Sequence, residues 1–183
     1  KTAETEAAKQ LKSAREELDY LESTLAALEN AETESDLNAV RAELTGEGYL
    51  KNSSAKKQKQ PVSKPMHFTS PDGFDVYVGK NNTQNDYLTL KMANSSDIWF
   101  HTKNIHGSHT VIKLGIDKDV PKSTMLFAAQ LAAYYSKARN SSQVPVDYTQ
   151  IKNVKKPNGA KPGMVIYDSY NTVYVTPSCP SEE

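Results

Sequence analysis

Residues 97–112, Asp-Ile-Trp-Phe-His-Thr-Lys-Asn-Ile-His-Gly-Ser-His-Thr-Val-Ile, leave the chain few folding options. Ile98, Trp99 and Phe100 are one run of strand formers and Thr110, Val111 and Ile112 another, with turn-forming residues between them. Two adjacent antiparallel strands are predicted, with Gly107 in the loop free to take a positive φ. Side chains alternate along a strand, so Asp97, Trp99 and His101 share one face and Ile98 and Phe100 the other. His101 closes the first strand and His109 opens the second, which brings two imidazoles to one end of the sheet. The stretch holds the one tryptophan and three of the four histidines of the chain.

Around this hairpin the chain divides by pattern and by charge. Over residues 3–30, Leu11, Ala14, Leu18, Leu21, Leu25 and Leu28 recur at alternating spacings of three and four, the seam of a coiled coil. Residues 32–36 break that helix. Ser35 or Asp36 is the expected N-cap of a second one, carried by Leu37, Val40 and Leu44 and ended by Gly46 or Gly48. The second helix is too short to cover the seam, so a companion helix is expected and the sequence reads as a portion of a longer protein. A local helical hairpin is the alternative. Residues 51–64 are lysine-rich and almost without apolar side chains, a basic linker that either touches nucleic acid or is simply solvated. Residues 1–50 carry 12 acidic against 5 basic side chains, and residues 51–183 carry 10 against 17. A net charge of zero thus hides two modules of opposite sign, the basic one suited to a polyanion.

From residue 65 onward the pattern is one of short strands. Residues 66–69 and 74–78 flank the turn Ser70-Pro-Asp-Gly73 as a hairpin. Gly79-Lys80-Asn81-Asn82 leads into a short helix over 85–93, capped by Asn81 or Asn82. A longer helix runs from residue 121 to about Arg139, capped by Ser123, and Ala128, Ala129, Ala132, Ala133 and Ser136 give it a small face that can lie close on a sheet. Residues 144–154 read as a strand, and residues 164–167 and 172–176 as a closing hairpin. The fold class is α+β: an N-terminal helical coiled-coil arm (1–50), a linker (51–64) and a compact domain (65–178) with a largely antiparallel sheet and one main packed helix.

Cys179 is the one cysteine, so no internal disulfide forms, in keeping with a reducing, cytoplasmic setting. No apolar run approaches the roughly 18 residues of a membrane helix, and no membrane partner is expected. Three groups of residues offer binding chemistry. Asp97, Trp99, His101, Ser108 and His109 suit base stacking or phosphate contact if exposed. If buried, they are core histidines around a tryptophan, and the residues alone leave both readings open. A metal site from His101 and His109 with Asp97 or His106 lacks any recognised ligand spacing, and a hydrolase built on Ser108 and His109 lacks the nucleophile elbow. No metal, cofactor or catalytic residue is expected. Lys80, Asn81 and Asn82, on a glycine turn entering a helix, form either an anion cradle or an ordinary capped turn. Lys152, Lys155, Lys156 and Lys161 lie on a loop stiffened by prolines, able to meet phosphates together with Lys103 or to remain solvated.

Five motifs follow in one order: Gly79-Lys-Asn-Asn82 with Asn85-Asp86, Asp97-Ile-Trp-Phe-His101, Gly107-Ser-His109, the helix with Ala128-Ala129, Ala132 and Tyr135-Ser136, and Lys155-Lys-Pro-Asn-Gly-Ala-Lys-Pro-Gly-Met164. Together they resemble the NFACT-R domain of the NFACT ribosome quality-control factors, in the bacterial RqcH type often named fibronectin-binding protein. The likeness covers residues 65–176, and residues 1–50 resemble the end of the family's middle coiled coil. It departs at His106, where bacterial relatives often carry proline. The resemblance implies binding to the large ribosomal subunit with stalled peptidyl-tRNA, and recruitment of tRNA, chiefly alanyl-tRNA. It also implies template-free C-terminal tailing by the whole factor, though not by this portion alone. On that reading Lys80, Asn81, Asn82, Asp97, Trp99, His101, Lys103, Ser108, His109, Lys155, Lys156 and Lys161 contact ribosomal RNA or tRNA. The older family name carries a second expectation, an adhesin-like module for a host matrix protein such as fibronectin. No secretion signal or anchor pattern lies within these residues, which favours the ribosomal reading.

Overall fold

A computed structural model describes residues 2–51, 63–115 and 119–180. α1 (Thr2–Glu29) and α2 (Glu34–Gly46) form an N-terminal helical hairpin. The break between them falls where expected, but its cap is Thr33, not Ser35 or Asp36. The Thr33 hydroxyl accepts from the Asp36 N–H and the Asp36 carboxylate accepts from the Thr33 N–H, so Asp36 is the reciprocal partner of a capping box. Gly48, at φ 85°, then turns the chain out of α2.

The domain is built on six strands: β1 (Met66–Thr69), β2 (Asp75–Val78), β3 (Ile98–Thr102), β4 (Thr110–Ile112), β5 (Val144–Gln150) and β8 (Asn171–Val175). Their order is β1-β2-β4-β3-β5-β8, and every neighbouring pair is antiparallel. The central hairpin is present, with Trp99 opposite Val111 and Phe100 opposite Thr110. The closing hairpin is not. β7 (Ile166–Tyr167) pairs with β6 (Val154–Lys155) in a separate ribbon, while β8 pairs with β5. The two runs bury different faces: Tyr167 packs on the Trp99 side of the main sheet and Val175 on the opposite side. Ser169, at φ 49°, turns the chain between them.

Helices cover both faces of the sheet. On one, α4 (Lys122–Tyr134) lays Ala128, Ala129, Ala132 and Ala133 against a core that includes Val76, Phe100 and Ile112. Here the small-residue face does what its pattern predicts. Ser123 is not the cap, because its hydroxyl donates to Asp72, and the helix stops at Tyr134, before Ser136 bridges to Gly107. On the other face Leu88, Trp99, Val111, Ile151 and Val154 make a second core. Its roof is α3 (Asn82–Tyr87), which continues as a π turn over Leu88–Met92, together with the β6–β7 ribbon.

This roof decides between the two readings left open for the tryptophan: Trp99 is buried, 0% exposed. α1 also departs from its pattern. Tyr20, Thr24 and Ala27, on one helical face, are buried, while Leu11, Leu18, Leu21, Leu25 and Leu28 stay exposed and residues 3–19 are open on all sides.

Candidate nucleic-acid interface

Trp99, His101 and His109 do converge. The imidazoles lie 5.5 Å apart and nearly perpendicular, and Trp99 stacks on His101 at 5.7 Å and meets His109 edge-on at 5.2 Å. The site they form is a core. His109 is 2% exposed, its N–H donates to Asn85 Oδ1, and its Nδ1 lies 2.8 Å from the Thr89 hydroxyl. Burial pushes His101 down to about 4 and His109 well below the usual range, so both are neutral at pH 7. Neutral imidazoles bring no charge to a phosphate; His109 follows the buried-histidine reading, while His101 is half-buried at the margin of the roof. Ser108 is buried too, its N–H donating to the Tyr135 carbonyl.

Asp97 orients neither ring. Its carboxylate accepts from Lys113 Nζ and from the N–H groups of Asn94 and Leu114, fastening the start of β3. Thr89 sits against His109 instead, and no pattern in the sequence marks a threonine on a π turn for that task. Among the described residues, the side chains whose ligand atoms come together are Asp19, Glu22 and His106, not His101, His109 and Asp97.

Gly107 is required for closeness rather than for a positive φ. A Cβ there would lie 2.7 Å from Ser136 Cβ, whereas Asn104 takes the left-handed turn of the loop at φ 55°.

The remaining motifs interlock. Lys156 Nζ donates to the Asp86 carboxylate and to the Lys161 carbonyl, and the Gly163 N–H donates to Asp86 Oδ1. A Cβ on Gly163 would stand 2.5 Å from Asn82 Oδ1, and this glycine also has φ 79°. Asn81 caps α3 through the Gln84 N–H. The turn of residues 79–82 has the geometry of an anion cradle, and its anions belong to this chain. Lys80 Nζ donates to Asp36 at 3.0 Å. Glu43 accepts from the Thr83 N–H at 2.8 Å and from Asn82 Nδ2 at 3.0 Å, at the positive end of α3. Burial raises the Asp36 carboxyl, but Lys80, Thr33 and Ser63 outweigh it and hold the group below its ordinary range. Lys161 donates to Glu47 at 2.9 Å, which raises its ammonium pKa. The opposite charges of the two halves of the sequence therefore meet, Asp36 of α2 facing Lys80 and Glu47, just after α2, facing Lys161.

Other cations face solvent. Lys152 and Lys155 are exposed, and Lys103 is partly exposed beside Asp147 and Tyr170. Between α2 and the β1–β2 hairpin lies a largely apolar groove of about 1240 Å³, walled by Ala39, Ala42, Tyr77, Tyr87 and Met92.

Residues 64–169 match the NFACT protein RNA binding domain, and residues 1–63 match the NFACT N-terminal and middle domains. The chain is 47% identical over 173 residues to the Rqc2 homolog RqcH of Bacillus subtilis, covering 92% of this chain and 29% of that protein. It is 44% identical over 160 residues to the Rqc2 homolog RqcH of Streptococcus suis, covering 87% and 28%. The chain thus spans less than a third of the length of these relatives. Its fold matches the C-terminal part of the fibronectin/fibrinogen-binding protein from Streptococcus suis with a TM-score of 0.90 at 39% identity, over 97% of this chain and 70% of that one. Among the described residues no helix is long and apolar enough to cross a membrane. The interlocked motifs and these matches lead to one conclusion: the chain belongs to the NFACT family, as its RNA-binding domain joined to the end of the N-terminal and middle region.

Proposed function

We propose that this chain is the RNA-contacting portion of a ribosome quality-control factor that binds the large ribosomal subunit carrying stalled peptidyl-tRNA. In the whole factor it helps recruit tRNA for template-free C-terminal alanine tailing. It works by binding, without a catalytic residue of its own, in the cytoplasm. The observation that carries this reading is the match of residues 64–169 to the NFACT RNA-binding domain. The exposed leucines of α1 supply the face on which a companion helix of the middle region packs.

Phosphate contact falls first to Lys152 and Lys155, which are exposed, and to Lys103. Lys80, Lys156 and Lys161 already hold carboxylates, so RNA must compete with Asp36, Asp86 and Glu47 for them. RNA binding measured against salt tests the proposal. With about three phosphates neutralised, the log–log slope is about −2 to −3, and replacing Lys152 and Lys155 with Ala brings it closer to zero. No RNA binding at low salt would refute it. The matrix-protein alternative draws on the name of the streptococcal structure. Saturable binding to immobilised fibronectin, without binding to RNA, would put that reading in its place.

A further inference from the structure

Among the described residues, one part of the sheet has no roof. The face that carries Trp99 is covered in its middle by α3 and the β6–β7 ribbon, but it continues outward across β5 to the edge strand β8. The register puts His101, Asp147 and Thr172 on one rung and Pro145 opposite Tyr174 two rungs further, on the same face. The Lys103 N–H donates to the Pro145 carbonyl, so Lys103 extends the latter rung. Alternate residues of a strand share a face, which places Thr172 and Tyr174 together, and Tyr170 immediately precedes the strand. Tyr174 is 63% exposed and Tyr170 43% exposed.

The Tyr170 ring is not loose. Lys103 Nζ stands 4.8 Å from the centre of the Tyr170 ring and donates to Thr172 Oγ1 at 3.3 Å. Asp147, 1% exposed, lies beneath and accepts from the hydroxyls of Tyr167 and Thr172. Tyr167 meets Tyr170 edge-on at 5.2 Å. The Tyr170 ring, held by an ammonium over one face and by Tyr167 yet still 43% exposed, loses little freedom when a flat partner settles on it. Asp147 balances Lys103, so this face is nearly neutral and suits bases better than a run of phosphates. Tyr170 and Tyr174 are four residues apart in extended chain, about 13 Å, a span that two or three nucleotides of an unpaired strand can bridge.

We infer that Tyr170 and Tyr174, with Lys103 between them and the buried Asp147, form a stacking platform for unpaired bases of RNA. The inference rests on the RNA-binding function proposed above and narrows its ligand to single-stranded segments. Every base has a π face, so the platform is tolerant of sequence and blind to the closed stack of a duplex.

The test uses the full chain and a fluorescein-labelled RNA 12-mer of mixed sequence, alone and annealed to its complement. The double variant Tyr170→Ala, Tyr174→Ala is expected to bind the single strand at least about tenfold more weakly, since one stacked base contributes about fivefold to a hundredfold. Its duplex affinity and denaturation midpoint stay as in the parent. The double Phe variant, which keeps both rings, binds the single strand like the parent. Should the Ala variant instead bind the single strand as the parent does, the platform is refuted and the RNA-binding function stands. Equal losses for single strand and duplex would also refute it. A parent chain that binds neither RNA overturns the proposed function, and the platform with it.

Discussion

Replacing Glu43 with Ala removes the carboxylate that fastens α2 to the beginning of α3. Glu43 is 7% exposed and accepts four hydrogen bonds: from Tyr20 Oη, Asn82 Nδ2, the Thr83 N–H and the Thr83 hydroxyl. Tyr20 is fully buried, and a buried donor left without an acceptor costs about 1–3 kcal/mol. Asn82 keeps a second bond to Thr24 and falls at the low end of that range. The Thr83 N–H loses its partner at a helix start, worth about 1 kcal/mol as for a lost cap. The Thr83 hydroxyl is exposed and turns to water. The sum is about 3–5 kcal/mol, and all of it falls on the docking of α1 and α2. Hydrogen exchange read by mass spectrometry should show protection lost over residues 20–29 and 36–46, with β3, β4 and β5 unchanged. The variant Glu43→Gln keeps the volume but turns an amide toward a donor, so an intermediate loss of about 1–2 kcal/mol is expected. Unchanged exchange in α2 of the Ala variant, with a urea midpoint equal to that of the parent, would refute the reasoning.

The histidine core sets a pH dependence. Unfolded imidazoles titrate near 6.5, while His101 is held down to about 4 and His109 well below its usual range. Stability is therefore complete above pH 6.5. It falls on acidification toward pH 4, by at most about 1.4 kcal/mol per pH unit for each histidine, and a urea midpoint that is flat from pH 7.5 to 5 would contradict this. Gly107→Ala drives a Cβ to 2.7 Å from Ser136 Cβ. A cost of about 1–3 kcal/mol follows, seen as a melting temperature lower by roughly 3–10 °C. Lys156→Ala strips Asp86 of its cation and frees the Lys161 carbonyl, so it lowers the melting temperature by a few degrees, whereas Lys155→Ala, on an exposed side chain, leaves it unchanged.

Local patterns were legible in the sequence wherever the chain answers to itself. The alternation through residues 97–101 yields the strand and its two faces, and the alanines of α4 identify the side that meets the sheet. Asn81 as a cap and residues 70–73 as a turn follow from the same local chemistry. What escaped is what distant segments decide. The ring of Trp99 is buried because Leu88, Val154 and Tyr167 are brought over it, and no periodicity around residue 99 registers that roof. The lysines and asparagines of the motifs look like ligand contacts until Asp36, Glu43 and Asp86 are seen holding them. The leucine seam of α1 is legible as a seam, yet the side of α1 that docks is Tyr20, Thr24 and Ala27, too mixed in character to stand out. The charge split was the one long-range signal available. It reports the docking of α2 on the domain at least as directly as it reports a polyanion.

Sedimentation tests the central claim most directly. Lysate from cells producing the protein that carries this chain, with translation stalled and ribosomal subunits separated, is run through a sucrose gradient. The protein is expected in the large-subunit fraction, and released from it as salt is raised, as contacts to RNA phosphates require. Recovery at the top of the gradient, or with the small subunit, would contradict the account.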